Sequence, residues 1–228
     1  MKLVNSKIDY LVDFKENKVN VLVIENQDVM SYVVYDLWKQ CAGNDGDFIL
    51  SDKKELKLDK NMHLIINPFD IDFNNKKIIS SLYNNLSQIA NEYVEEKTDI
   101  NAKILSLLDD IILKEKYPNI EYSLDFSWND IFKIYSVKIE ENTGTLISRL
   151  IDYMKLISNY IGVKILTLVN IKSYLSEKEL IELYQSASYN KIQLLLIESI
   201  ERKLLSNEEV CIVDSDKCII KKHTNITP

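Results

Sequence analysis

Three segments of the chain are apolar along nearly their whole length: Val19-Asn20-Val21-Leu22-Val23-Ile24, Lys164–Asn170 and Gln193–Ile197. A strand with one face in water alternates apolar and polar residues. A strand that is apolar throughout has to be covered on both faces, which is the situation of parallel sheets with helices above and below. These runs lie toward the two ends of the sequence, so both ends are expected to build one largely parallel α/β sheet. Phe48-Ile49-Leu50, Met62–Ile66, Val210–Val213 and Cys218–Ile220 are further short strand candidates.

The middle of the chain reads differently. Ile78, Ile79, Leu82, Tyr83, Leu86, Ile89, Ala90 and Tyr93 recur at helical spacing, as do Ile100, Ile104, Leu107, Leu108 and Ile111. Ser127 opens a third helix with Ile131, Phe132 and Tyr135. Thr143-Gly144-Thr145 leads into a fourth with Leu146, Ile147, Leu150, Ile151, Met154 and Ile157. The expected organisation is an α/β head from 1–74 and 163–228 with an all-helical arm, 75–162, inserted between. Pro118 separates the second helix from an irregular loop. In the head, Asp28 is expected to cap a helix with Val29, Val33, Val34, Leu37 and Trp38 inward. Ser176 and Glu179 have capping-box spacing at the start of another.

A strand, loop and helix at the N-terminus is where a phosphate cradle would sit. Such a cradle needs glycines that let the backbone wrap the phosphate, and a lysine to reach it. Ile24-Glu25-Asn26-Gln27-Asp28-Val29 has neither and carries two acids. His63 and His223 have no metal or triad pattern around them, Asp109-Asp110 reads as a solvated pair, and no nucleophile elbow is present. The residues therefore point away from an enzyme. Twenty-eight Lys and Arg against 35 Asp and Glu leave a net charge of −7, which by itself argues against a generic basic nucleic-acid binder.

The three cysteines are expected to be buried thiols of a reducing, cytoplasmic compartment. A hairpin turning at Ser215-Asp216 would set 213 opposite 218 and keep the sulfurs of Cys211 and Cys218 apart. Met1 to Asn5 shows no apolar leader, and the longest apolar stretches fall well short of the ~20 residues a membrane span needs. Asn119, Glu121, Asp125 and Asp130 place four oxygen donors within twelve residues after Pro118, a composition open to a hard cation such as calcium. Ser127 and Asp130 equally have the spacing of a helix cap. Basic residues are nearly all Lys. Lys53, Lys54, Lys138, Arg149 and Lys155 are the candidates for contact with a polyanion, although Arg149 and Lys155 point about 120° apart on a helix.

The ordered set of segments resembles one family. Asn20–Glu25, the run Leu64-Ile65-Ile66-Asn67-Pro68-Phe69-Asp70-Ile71-Asp72-Phe73-Asn74, Ser136-Val137-Lys138-Ile139-Glu140, Lys164–Asn170 with Tyr174–Leu180, and Leu194–Glu198 are similar to the CRISPR-associated spacer-acquisition accessory proteins of type II-A systems, often called Csn-two. The resemblance implies a P-loop-like head without a working phosphate loop, and no enzymatic activity. It implies a homotetrameric ring holding the ends of linear double-stranded DNA, and calcium ordering the helical part through Asn119, Glu121, Asp125 and Asp130. It implies work beside the CRISPR integrase and the type II effector nuclease, away from membranes. Asn119 is neutral, and Ser123 and Leu124 interrupt an acidic loop that usually holds more carboxylates. With almost no Arg, DNA would be held by Lys point charges, independently of sequence. Two other readings of the chain are a degenerate nucleotide-dependent enzyme and a protein-only scaffold that binds partners through the helical arm.

Overall fold

The computed structural model describes residues 1–223 apart from Ser6, Asp9 and Pro118, and the side chains of Tyr10 and His223 lie outside the description. The helix break expected at Pro118 and the surroundings of the His223 side chain therefore fall outside the described residues. The fold is mixed α/β with a mostly parallel sheet. The chain divides into two compact units, 1–73 with 141–228, and 74–140.

The larger unit holds two sheets. A small antiparallel sheet has the order β2-β1-β4-β5, built from β1 (Lys2–Asn5), β2 (Tyr10–Asp13), β4 (Phe48–Asp52) and β5 (Lys54–Leu56). The six-stranded sheet has the order β10-β9-β3-β8-β7-β6. In it β3 (Val19–Ile24) runs parallel to β8 (Gln193–Glu198) and to β9 (Glu208–Val213), and β7 (Ile165–Val169) parallel to β8 and to β6 (Met62–Ile65). Only β10 (Ile219–His223) is antiparallel, at the edge. Every residue of β3 and of β7 is buried, as the continuous apolar runs require.

Helix α1 (Gln27–Cys41) buries Val29, Val33 and Leu37. Its cap is Asn26, whose Oδ1 accepts from the Val29 amide at 3.1 Å, and not Asp28. Asp28 stands one residue inside the helix, where its charge suits the dipole. Trp38, expected inward, is about half exposed and stacks on Tyr35. One helical step separates it from Leu37, and the stripe at 29, 33 and 37 already fills the core face. The short α2 (Leu58–Asn61) leads into β6. Helix α7 (Glu177–Tyr189) opens with the expected capping box of Ser176 and Glu179.

Helix α6 (Leu146–Leu156) corrects the expected arm boundary at 162. It groups with the larger unit, because Ile147, Leu150, Tyr153 and Met154 are buried there. Tyr153 meets Phe73 edge-on, and its hydroxyl lies 3.0 Å from His63 Nε2, so His63 is a paired histidine. A π-helical turn, Ile157–Ile161, follows, and Gly162 closes it at φ 74, a left-handed conformation that suits glycine.

The final hairpin pairs Val213 with Ile219, one residue beyond the expected register. Asp214 causes the shift: its Oδ1 accepts from the amides of both Asp216 and Cys218 and lengthens the turn. No disulfide joins the three cysteines. Cys41 and Cys211 are half-buried and Cys218 is exposed, which corrects the expectation that all three would be buried.

The smaller unit contains α3 (Lys76–Ala90), α4 (Val94–Ile112) and α5 (Trp128–Ile134). Asn75 caps α3 by accepting from Lys77 and Ile78. The Tyr83 hydroxyl donates to the carbonyl of Val137 at 3.0 Å, and Ser87 Oγ to Asn129 at 2.8 Å, joining α3 to the α5 segment. Asn74 exchanges two hydrogen bonds with the backbone of Ile139, fastening the two ends of the unit together.

Candidate nucleic-acid interface

The five cations singled out from the sequence are spread over the β4–β5 turn and β5, the stretch after α5, and α6, and none bonds to another. Lys53 occupies the turn between β4 and β5 at φ 59, and Lys54 begins β5. Both are exposed, and neither makes an ion pair among the described residues. Lys138 is exposed in the irregular stretch after α5. Two cations on α6 are partly engaged. Arg149 donates to the carbonyl of Ile71 at 3.4 Å, and Lys155 pairs with Asp152 at 3.2 Å. Lys53, Lys54 and Lys138 are thus the three that present an uncommitted charge to solvent.

The four expected calcium donors do not form a donor set. Asp130 closes a capping box with Ser127 and pairs with Lys133 at 3.4 Å. The Ser127 hydroxyl, its amide and Lys133 hold the Asp130 carboxyl below its ordinary value. Asp125 is held low by Lys97, 3.0 Å away. Glu121 and Asn119 are exposed. Among the described residues no group of three or more His, Cys, Asp and Glu side chains converges on a common metal position. The residues as arranged do not fit a resident calcium ion.

At the carboxyl end of β3 the expected lack of a phosphate cradle has a structural counterpart. Asn26 Oδ1 occupies the Val29 amide, Asn26 Nδ2 donates to the Ser215 carbonyl, and the Glu25 amide donates to Val213. Asn26 thereby ties the loop to the final hairpin. A cavity of about 640 Å³ adjoins the start of α1, lined by Lys7, Asp28, Tyr32 and Lys217 among others. Lys7 is already paired with Asp47 at 2.7 Å.

Sequence reasoning missed a buried polar network behind the sheet. Lys172 Nζ meets Glu208 at 2.6 Å with both side chains buried. The Tyr184 hydroxyl and the Leu205 amide also donate to Glu208, at 2.6 and 3.0 Å. Burial, with Glu208 beside it, pushes the Tyr184 phenol far up. Glu198, at the end of β8, accepts the Lys172 amide, the one hydrogen bond it has among the described residues, and burial pushes its carboxyl up to about 7. The one available signal was an acid closing an otherwise apolar strand, Leu194 to Glu198.

The fold and these positions define an α/β protein with a mostly parallel sheet, a helical insertion and a β3–α1 loop without glycine or lysine. A family model described as CRISPR-associated protein (Cas_Csn2) matches residues 40–217, well over half of the chain. The chain belongs to the CRISPR-associated Cas_Csn2 family, and its role is CRISPR-associated. Among solved structures it is similar to a putative ABC transporter ATP-binding protein from Pyrococcus furiosus. That match has 9% identity and a TM-score of 0.38, over 89% of this chain and 88% of that one. No helix of the described residues is long and apolar enough to cross a membrane.

Proposed function

We propose that this chain is a non-enzymatic protein that binds the ends of linear double-stranded DNA without sequence preference. It acts as a homotetrameric ring in the uptake of new CRISPR spacers, in the cytoplasm, beside the CRISPR integrase and the type II effector nuclease. The observation that carries the reading is the family match over 40–217.

Two features support the finer parts. Helix α4 has 19 residues and buries none of them. Ile100, Ile104, Leu107 and Ile111 form a stripe about 60° wide on it, each at least 40% exposed. Apolar surface of this extent is covered when copies assemble. The uncommitted Lys53, Lys54 and Lys138 offer point charges for phosphates. The head has a P-loop-like strand–loop–helix start, but Asn26 and the hairpin occupy it instead of a phosphate loop.

A mobility-shift comparison of linear duplex with a small closed circle of equal length tests the proposal. Linear DNA is expected to shift and the circle to stay free. Equal shifts of both would refute threading from an end, and no shift of either would refute DNA binding.

A further inference from the structure

We propose that Lys97 is the resident cation of the 119–127 segment, so that this acidic loop is ordered by a side chain of the protein and needs no divalent ion. The inference is independent of the DNA reading.

The oxygen-rich loop should, by its composition, repel itself unless a cation sits against it. Helix α4 supplies one. Lys97 lies in the first turn of α4, and its Nζ reaches Asp125 Oδ2 at 3.0 Å while standing 5.2 Å from the centroid of the Phe126 ring. An ammonium that meets both a carboxylate and the face of an aromatic ring satisfies the charge of one residue and anchors the next. Lys97 is the less exposed partner, 27% against 67% for Asp125, so its stem lies along the protein while the carboxylate comes to it.

The contact continues along the helix. One turn on, Asn101 Nδ2 donates to the Leu124 carbonyl at 2.9 Å, and further along the Tyr122 hydroxyl donates to Asp109. At about 100° per residue, positions 97, 101 and 109 span an arc of about 120°, a single side of α4. The loop is therefore laced to one helix side by three contacts from residues 122, 124 and 125. Glu121 and Asn119 are exposed, but the other oxygens that a calcium ion would draw on are used. Asp125 faces Lys97, and the Leu124 carbonyl faces Asn101. The Asp125 carbonyl accepts from Ser123 Oγ at 2.8 Å, and Asp130 is closed onto Ser127 and Lys133. A metal would have to displace the ammonium before it could use Asp125.

The test uses the full chain without DNA. Wild-type protein is melted in excess EDTA and in millimolar calcium, and calcium is titrated calorimetrically. The expected result is one melting temperature and no heat of binding. Amide exchange is then followed in residues 121–126 of wild type, Lys97→Met and Asp125→Asn. Exchange should accelerate roughly two- to fivefold in both variants, the range an ion pair of this exposure supports. In Lys97→Met, which frees the Asp125 carboxylate, millimolar calcium should slow the exchange again. In Asp125→Asn it should not. Calcium uptake by wild type with a raised melting temperature would overturn the inference. So would unchanged exchange in Lys97→Met, or a calcium response equal in the two variants.

Discussion

Glu198 is 1% exposed, and among the described residues its carboxylate accepts a single hydrogen bond, from the Lys172 amide at 3.1 Å. The lysine's own charge goes elsewhere, to Glu208. Burial therefore dominates and lifts the Glu198 carboxyl from an ordinary 4.5 to about 7, with Lys172 and Arg202 opposing and Glu208 assisting. The unfolded chain ionises near 4.5 while the folded one holds the proton up to about 7, so the folded state binds more protons between those values. The contribution of this group to stability is complete below 4.5 and is lost as pH rises through 7. The interval, at about 1.4 kcal/mol per pH unit, comes to about 3 kcal/mol by pH 8. Glu198→Gln keeps an acceptor for the Lys172 amide and removes the titration. Urea unfolding of both proteins at pH 5, 6, 7 and 8 measures the effect. Wild type should lose stability relative to Glu198→Gln as pH rises, and the variant should be the more stable by up to about 3 kcal/mol at pH 8. Parallel pH profiles, or a variant less stable at pH 8 than at pH 5 relative to wild type, would refute the reasoning.

Other outcomes follow from the same structure. Lys172→Met leaves Glu208 buried without its cation, and should cost about 3–5 kcal/mol in chemical unfolding, since removing one partner of a buried pair strands the other charge. The double substitution Ile104→Glu and Leu107→Glu should lower the mass seen by light scattering toward the 26.6 kDa monomer while leaving helical content unchanged, because neither residue is buried in the single chain. A wild-type mass of 26.6 kDa at micromolar concentration would count against assembly. Lys53→Glu with Lys54→Glu should weaken DNA binding and flatten its salt dependence with no change in melting temperature, since both side chains are exposed and make no ion pair among the described residues.

The strands of the large sheet were readable because burial on both faces writes an unbroken apolar run, and β3 matches its expected span residue for residue. The caps Ser127 and Ser176 were readable because their bonds are local. β1 and β2 were not, since each has four residues and pairs with a strand distant or reversed in the chain. The stripe of α6 was legible, but not what it packs against; His63 and Phe73 lie some 80 or more positions away in sequence. The same limit hid Lys172 and Glu208, which pair across 36 positions without any shared spacing. For the acidic loop, composition showed the oxygens but not Lys97, a helix away, that answers them.

The measurement that bears most directly on the proposed role is the affinity for linear duplex DNA, followed by fluorescence anisotropy as salt is raised. Binding through several lysine–phosphate contacts should weaken on the order of a thousandfold between ~50 and ~200 mM salt, for any sequence of the same length. An affinity that stays flat across that range, or that is matched by a closed circle used as competitor, would contradict a ring that holds DNA ends by charge.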